Sequence, residues 1–217
     1  MTELPLEHVH VEPKTETEGP APAVVLLHGR GSNEQDLLQI AQQLPDTLHV
    51  VSFRAPDTLH GGYTWYELDL SEGGLHKSQP HDDQFERSRE LVRESIAGAI
   101  EAYDIDPDRI GLLGFSQGAI TSLSLLLDDP EDYAWVVALH GYLAESHFDL
   151  EPAGVAGKPV FIAAGSMDQV IPSFRAERAA ERLSELGADV TFQTYGAPHG
   201  VSPDELSDVV SFVEEQV

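Results

Sequence analysis

Cysteine is missing from this 217-residue chain, which excludes disulfides, thiolate metal sites and a cysteine nucleophile. Lysine is nearly missing too, with Lys14, Lys77 and Lys158 the only examples. Positive charge is therefore scarce: 12 basic residues face 38 acidic ones, for a formal charge of -26. Such a surface repels nucleic acid and anionic membranes, so neither is expected as a partner. No segment approaches the roughly 18 apolar residues of a membrane-crossing helix, and stable membrane insertion is not expected. The start, Met1 to His8, has neither a basic cluster nor an apolar run. No secretory signal is visible there, and a cytoplasmic protein is expected.

The acids are spread along the chain and apolar periodicity survives beside them. The acidity thus belongs to a folded surface. Salt screens the self-repulsion of such a surface, so a halophilic protein, suited to high intracellular salt, is expected. The length fits one domain over residues 1–217, as a monomer or homodimer.

His8–Val11 reads as a short edge strand, with His8 and His10 on one face as exposed strand histidines rather than a metal pair. A polar connection follows over Glu12–Pro22. Ala23–Leu27 is a continuous apolar run, as in a strand covered on both faces. It enters the loop His28-Gly-Arg-Gly-Ser-Asn33, then a helical face at Leu37, Leu38, Ala41 and Leu44, with Asn33/Asp36 or Ser32/Gln35 as candidate caps. No lysine follows the glycines and the Walker pattern is absent, so the loop is assigned to backbone donation rather than to phosphate.

His49–Phe53 is the next strand. Asp57–Asp83 is the longest irregular stretch, which in a compact domain is usually functional or mobile. Its aromatics, Trp65 foremost, either line an acyl pocket or anchor the loop. His76, His81, Asp82 and Asp83 read as a solvated loop followed by acidic helix capping rather than a metal patch. A long helix spans Phe85 to Tyr103, and Asp104–Asp108 turns the chain into Ile110-Gly-Leu-Leu. Strands at Trp135–Leu139, Pro159–Ala164 and Val190–Thr194 alternate with helices ending near Leu127, covering Phe174–Leu186, and starting at Ser202. Ser202, Pro203 and Glu205 form the start signal of the last helix. His140–Lys158 is too short for a substantial cap. The alternation predicts an α/β fold with an open, mostly parallel sheet covered on both faces.

Arg109–Thr121 is the organising stretch. A strand reaches Gly114, Ser116 sits at a sharp turn, and glycines at 114 and 118 leave room for it. A neutral hydroxyl needs a base to become a nucleophile. Asp168 and His199 follow in chain order, each just past the C-terminal end of a predicted parallel strand, where open α/β sheets place their sites. Taken singly, one is an ordinary capping acid and the other a loop histidine. With the elbow, the three fit one reaction, in which His199 shuttles the Ser116 proton and Asp168 orients His199. The oxyanion needs donors, assigned to the backbone N–H of Gln117 and of Arg30, with Gly29 or Gly31 as alternatives to Arg30. His28 reads as a loop-shaping group, and Met167 joins Trp65 as a pocket candidate.

Leu27-His-Gly-Arg-Gly, Gly114-Phe-Ser-Gln-Gly118, Gly165-Ser-Met-Asp-Gln-Val-Ile-Pro172 and Pro198-His-Gly200 resemble the phospholipase/carboxylesterase family of α/β-hydrolases, over about residues 20–215. The resemblance implies an α/β-hydrolase fold, the triad Ser116, Asp168 and His199, and oxyanion donors at Arg30 and Gln117. It implies Trp65 near the substrate entrance and no metal or cofactor. Two departures stand out. Ala119 replaces a common glycine, which implies a packing difference, and Arg30 replaces a commonly apolar residue. The expected activity is a serine carboxylesterase acting on short- to medium-chain acyl esters. Lysophospholipase or acyl-thioester hydrolysis is the nearest alternative, and a non-catalytic binding protein on the same fold is the distant one.

Overall fold

Apolar alternation within the strands decides the layering, because successive strand side chains point to opposite faces. A computed structural model describes residues 4–15 and 19–217. Residues 1–3 of the start, and 16–18 within the connection expected over Glu12–Pro22, lie outside the described residues. In chain order the strands and helices are β1 His8–Val11, β2 Ala21–Leu27, α1 Leu38–Ala41, β3 His49–Phe53, β4 Asp57–Leu59, β5 Gly62–Thr64, β6 Leu68–Asp69, β7 Gln79–Pro80, α2 Asp82–Tyr103, β8 Ile105–Phe115, α3 Gln117–Asp128, β9 Trp135–Leu139, β10 Pro159–Gly165, α4 Ser173–Glu185, β11 Asp189–Tyr195 and α5 Pro203–Glu214.

Seven strands form one sheet in the order β1-β3-β2-β8-β9-β10-β11. Only β1 is antiparallel to its neighbour. Val25, Leu27, Leu112, Val136 and Ile162 point into a core shared with α2, α3 and α4. Val24, Leu26, Leu113, Val137 and Phe161 point into a second core shared with α1 and α5. The sheet is thus mostly parallel and covered on both faces, as the alternation predicts. The helix α3 is buried along nearly its whole length. This is why its sequence, Gln-Gly-Ala-Ile-Thr-Ser-Leu-Ser-Leu-Leu-Leu, shows almost no charged face.

Several elements differ from expectation. Only Leu38–Ala41 is α-helical after the first glycine loop, and no side chain caps it. Asn33 Oδ1 instead accepts from Gln35 N–H at 2.9 Å, a local turn that competes with helix entry. Asp57–Asp83 is less irregular than expected: β4 pairs with β5, and β6 with β7. The strand β8 begins at Ile105, and its register against β2 shifts before Ile110. His8 and His10 are half-buried rather than exposed. His8 Nε2 meets Tyr103 Oη at 2.6 Å, and the His10 ring stacks on Tyr103 at 3.6 Å. The 140–158 connection carries one short 3-10 turn, Glu145–His147, and no substantial cap. Among the described residues, no helix is long and apolar enough to cross a membrane.

Candidate active site

Ser116 links β8 to α3 with φ 54° and ψ -114°, a conformation costly for a residue with a Cβ. Close packing enforces it. A Cβ on Gly118 would lie 1.8 Å from the Leu27 carbonyl oxygen, and one on Gly114 would lie 2.3 Å from the Gly118 backbone. Strand and helix approach at distances only glycine permits, so the turn between them is sharp. Ser116 N–H is held by Leu139 O at 2.9 Å. The Ala119 methyl faces Gly141, where a Cβ would come within 2.5 Å of it. Alanine at 119 is therefore matched by a glycine opposite, which is the physical form of the packing difference at this position.

Three distant segments converge on the elbow. His199 Nε2 lies 3.0 Å from Ser116 Oγ, and His199 Nδ1 lies 2.6 Å from Asp168 Oδ2. A carboxylate only accepts, so Nδ1 carries the proton and Nε2 is free to accept from the hydroxyl. The other Asp168 oxygen, Oδ1, accepts from the N–H groups of Val170 and Ile171 at 2.8 and 2.9 Å. Burial alone would raise the Asp168 pKa. Its hydrogen bonds, those from His199 and Ile171 foremost, outweigh burial and hold it below the usual carboxylate range. The acid is thereby kept ionised against His199.

The first glycine loop is fixed from several sides. His28 Nε2 accepts from Ala55 N–H at 3.1 Å, so Nδ1 donates to Gly29 O at 2.7 Å. Burial pushes the His28 pKa down, which suits this neutral, loop-shaping role. Gly31 N–H donates to Tyr63 O at 2.7 Å, which removes Gly31 from the possible oxyanion donors. Gln117 is the first residue of α3, a position whose N–H has no intrahelical acceptor. Its side chain ties the elbow to the aromatic loop: Oε1 accepts from Thr64 Oγ1 and Trp65 N–H at 3.0 and 3.2 Å, while Nε2 donates to Tyr66 O at 2.8 Å. The sequence pattern marked Gln117 for its backbone and gave no sign of this side-chain clamp. The Arg30 side chain is half-exposed and pairs with Glu67 at 3.5 Å.

Trp65 corrects an expectation. Its ring is fully buried, and its indole N–H donates to His28 O at 2.8 Å. It anchors its loop to the first glycine loop and offers no accessible pocket wall. Met167, beside Asp168, is 58% exposed and stands open to a ligand. A large cleft of about 1020 Å³ runs past His76, His81, Asp82 and Asp83 and is not lined by Ser116, Asp168 or His199. Chemistry, not cavity size, locates the site. Among the described residues, those four side chains do not converge as a ligand set; the group that does is His140, Asp168 and His199. Its spacings of 2.6 and 3.1 Å around Asp168 Oδ2 are those of direct hydrogen bonds. His140 was not anticipated, although it sits at the same C-terminal sheet edge as the others.

The fold and the sequence have counterparts among known proteins. A carboxylesterase from Bacillus cereus superposes with a TM-score of 0.85 at 25% identity, covering 98% of this chain and 95% of its own. A structure titled esterase PE8 does so with 0.84 at 27% identity, covering 98% and 99%. In sequence, acyl-protein thioesterase 1 of Debaryomyces hansenii is 29% identical over 211 residues, covering 89% of this chain and 90% of that relative. The family model described as phospholipase/carboxylesterase matches residues 6–217. With the mostly parallel sheet and serine elbow already in place, that near-complete match shows that the chain belongs to the phospholipase/carboxylesterase family, with an α/β-hydrolase fold.

Proposed function

We propose that this chain is a serine carboxylesterase that hydrolyses short- to medium-chain acyl esters through an acyl-enzyme. The observation that carries the reading is the continuous hydrogen-bonded line from Ser116 Oγ through His199 to Asp168 Oδ2. In the proposed reaction, Ser116 Oγ attacks the acyl carbon while His199 Nε2 takes its proton. The oxyanion is held by the N–H groups of Gln117 and Arg30. His199 then returns the proton to the leaving oxygen, the alcohol departs, and the acyl group stays on Ser116. Water repeats the cycle: His199 takes one of its protons, the hydroxyl attacks, and the acid leaves as Ser116 is reprotonated. Asp168 stays ionised throughout and stabilises the His199 cation. Met167 is the proposed contact for the acyl chain.

A thioester substrate is the second reading, and it is supported by the relatives named acyl-protein thioesterase. The same proton path serves both, because only the leaving atom changes. A purely binding role explains neither the strained serine nor its bond to a histidine backed by a carboxylate. We also propose that the acidic surface adapts the protein to molar salt. Turnover of matched acyl esters, thioesters and lysophospholipids in molar potassium chloride tests the assignment. Oxygen esters are expected to be preferred, and Ser116→Ala to lose about 10⁴-fold or more in kcat. Preferential thioester turnover would reverse the substrate ranking, and undiminished turnover by Ser116→Ala would remove the nucleophile.

A further inference from the structure

The proposed triad leaves a buried titratable pair unused. His140 follows β9 with φ 52°, a left-handed conformation uncommon outside glycine and concentrated at functional sites. Its ring is fully buried, with Nδ1 3.1 Å from Asp168 Oδ2 and Nε2 3.3 Å from Glu205 Oε2. The Asp168 oxygen is the one that also receives His199. Glu205 sits in the capping box of α5, where its Oε2 accepts from Ser202 N–H at 3.2 Å. A capping glutamate ordinarily lies at the surface. This one is fully buried, and its Oε1 has no hydrogen-bond partner among the described residues.

A neutral imidazole has one N–H and one lone pair. Between two carboxylates it would aim that lone pair at an oxygen, whereas an imidazolium donates to both. Burial by itself disfavours the charge, yet Glu205 and Asp168 outweigh it and raise the His140 pKa above its ordinary value. The charged and titratable groups facing His140 come from three elements: Asp168 from the loop after β10, Glu205 from α5, and His199 from the loop after β11. The His199 ring lies 5.6 Å away, edge-on. From β8, Phe115 adds an uncharged ring at 5.6 Å.

We propose that His140 and Glu205 are a positioning pair beneath the triad: His140, held as a cation by Glu205, clamps Asp168 Oδ2 and opposes protonation of His199, keeping the base free at lower pH. The inference rests on the triad reading above. His140 touches neither substrate nor the reacting atoms, and its own proton does not move. Before attack the cluster holds two carboxylates and one imidazolium. When His199 accepts the Ser116 proton this cluster becomes neutral, whereas without the His140 charge it would still carry one negative charge and would draw a proton onto His199 more strongly.

The test is the rate at which a fluorophosphonate labels Ser116 as a function of pH, in molar potassium chloride, for the wild type, Glu205→Gln and His140→Asn. Glutamine preserves the capping box. Asparagine tolerates positive φ and still donates to Asp168. Each variant keeps a hydrogen bond, and the wild-type nitrogen spectra judge the proposal if His140→Asn fails to fold. The acid limb of the labelling rate is expected to move up by about one pH unit in His140→Asn, as for loss of a like charge at this range, and by clearly less in Glu205→Gln, which removes a carboxylate along with the hold on the His140 charge. Side-chain ¹⁵N spectra of the wild type at neutral pH should show both His140 ring nitrogens protonated. An unmoved limb in folded His140→Asn, even with lowered stability, or an unprotonated His140 nitrogen in the wild type overturns the proposal. Equal labelling of Ser116→Ala would instead locate the failure in the triad, and the nitrogen spectra would still judge the charge on His140.

Discussion

Ser116 holds an unfavourable backbone conformation because its neighbours leave the chain no other path. Gly118 carries the tightest of these constraints, with a substituent Cβ only 1.8 Å from the Leu27 carbonyl oxygen. Gly118→Ala is therefore expected to cost about 3 kcal/mol or more, since neither backbone can retreat without breaking the sheet or the helix. Urea unfolding would measure it, and a loss below 1 kcal/mol, for a substitution small enough to be surface-like in cost (about 0.5 kcal/mol), would contradict the packing argument. The proposed triad residues Ser116, Asp168 and His199 stand out in the sequence because each lies just past the C-terminal end of a predicted strand. His140 meets the same criterion after Trp135–Leu139, but no motif surrounds it. Glu205 was legible only as a helix cap, because its depth depends on how α5 lies over the sheet. Trp65 was legible as an anchor or a pocket wall, and only the bond to His28 O decides for the anchor.

At the scale of elements, the segments that follow the first glycine loop and β3 are joined by an ion pair. Arg54 donates to Glu34 through Nε and Nη2 at 2.6 and 2.7 Å. The Arg54 hydrogen bonds lower the Glu34 pKa from 4.5 to about 2. A carboxyl with a depressed folded-state pKa stabilises the fold above its unfolded value and loses that contribution as pH falls through the folded one. Glu34→Gln should thus be less stable than the wild type above pH 4.5, with the deficit fading as pH falls toward about 2. Its size at neutral pH should be on the order of 2 kcal/mol. Urea unfolding across that range reads it out, and a deficit constant with pH would count against the ion pair. The long strands and helices were legible because burial on one or two faces writes a period into the chain. The ribbons β4–β5 and β6–β7 were not, since strands of two or three residues carry no period and are set by what they pack against. The helix expected from Leu37 to Leu44 shrank to one turn because local turn bonds around Asn33 compete for the backbone.

For the molecule as a whole, the formal charge of -26 is the dominant long-range term. Some arginines are drawn into local clusters: Arg89 and Arg93 both meet Asp128, which ties α2 to α3. With 38 acids against 12 bases, most of the acidic excess is left without an equal positive charge. Raising salt shortens the screening distance from about 10 Å at 0.1 M to about 3 Å at 1 M, so repulsion across the surface should fall steeply. The unfolding midpoint is expected to rise from low salt to molar potassium chloride. A flat midpoint would contradict the proposed adaptation to salt. The acidity was fully legible in the composition. What composition could not convey is that the proposed site also gathers two carboxylates, Asp168 and Glu205, around one buried histidine.

In the proposed reaction Ser116 is acylated through His199. Mass spectrometry of the protein treated with a fluorophosphonate or an activated acyl ester tests it most directly. One adduct is expected, on the peptide containing Ser116, present in the wild type and absent from Ser116→Ala. An adduct of equal yield in Ser116→Ala, or one mapped to another residue, would contradict it.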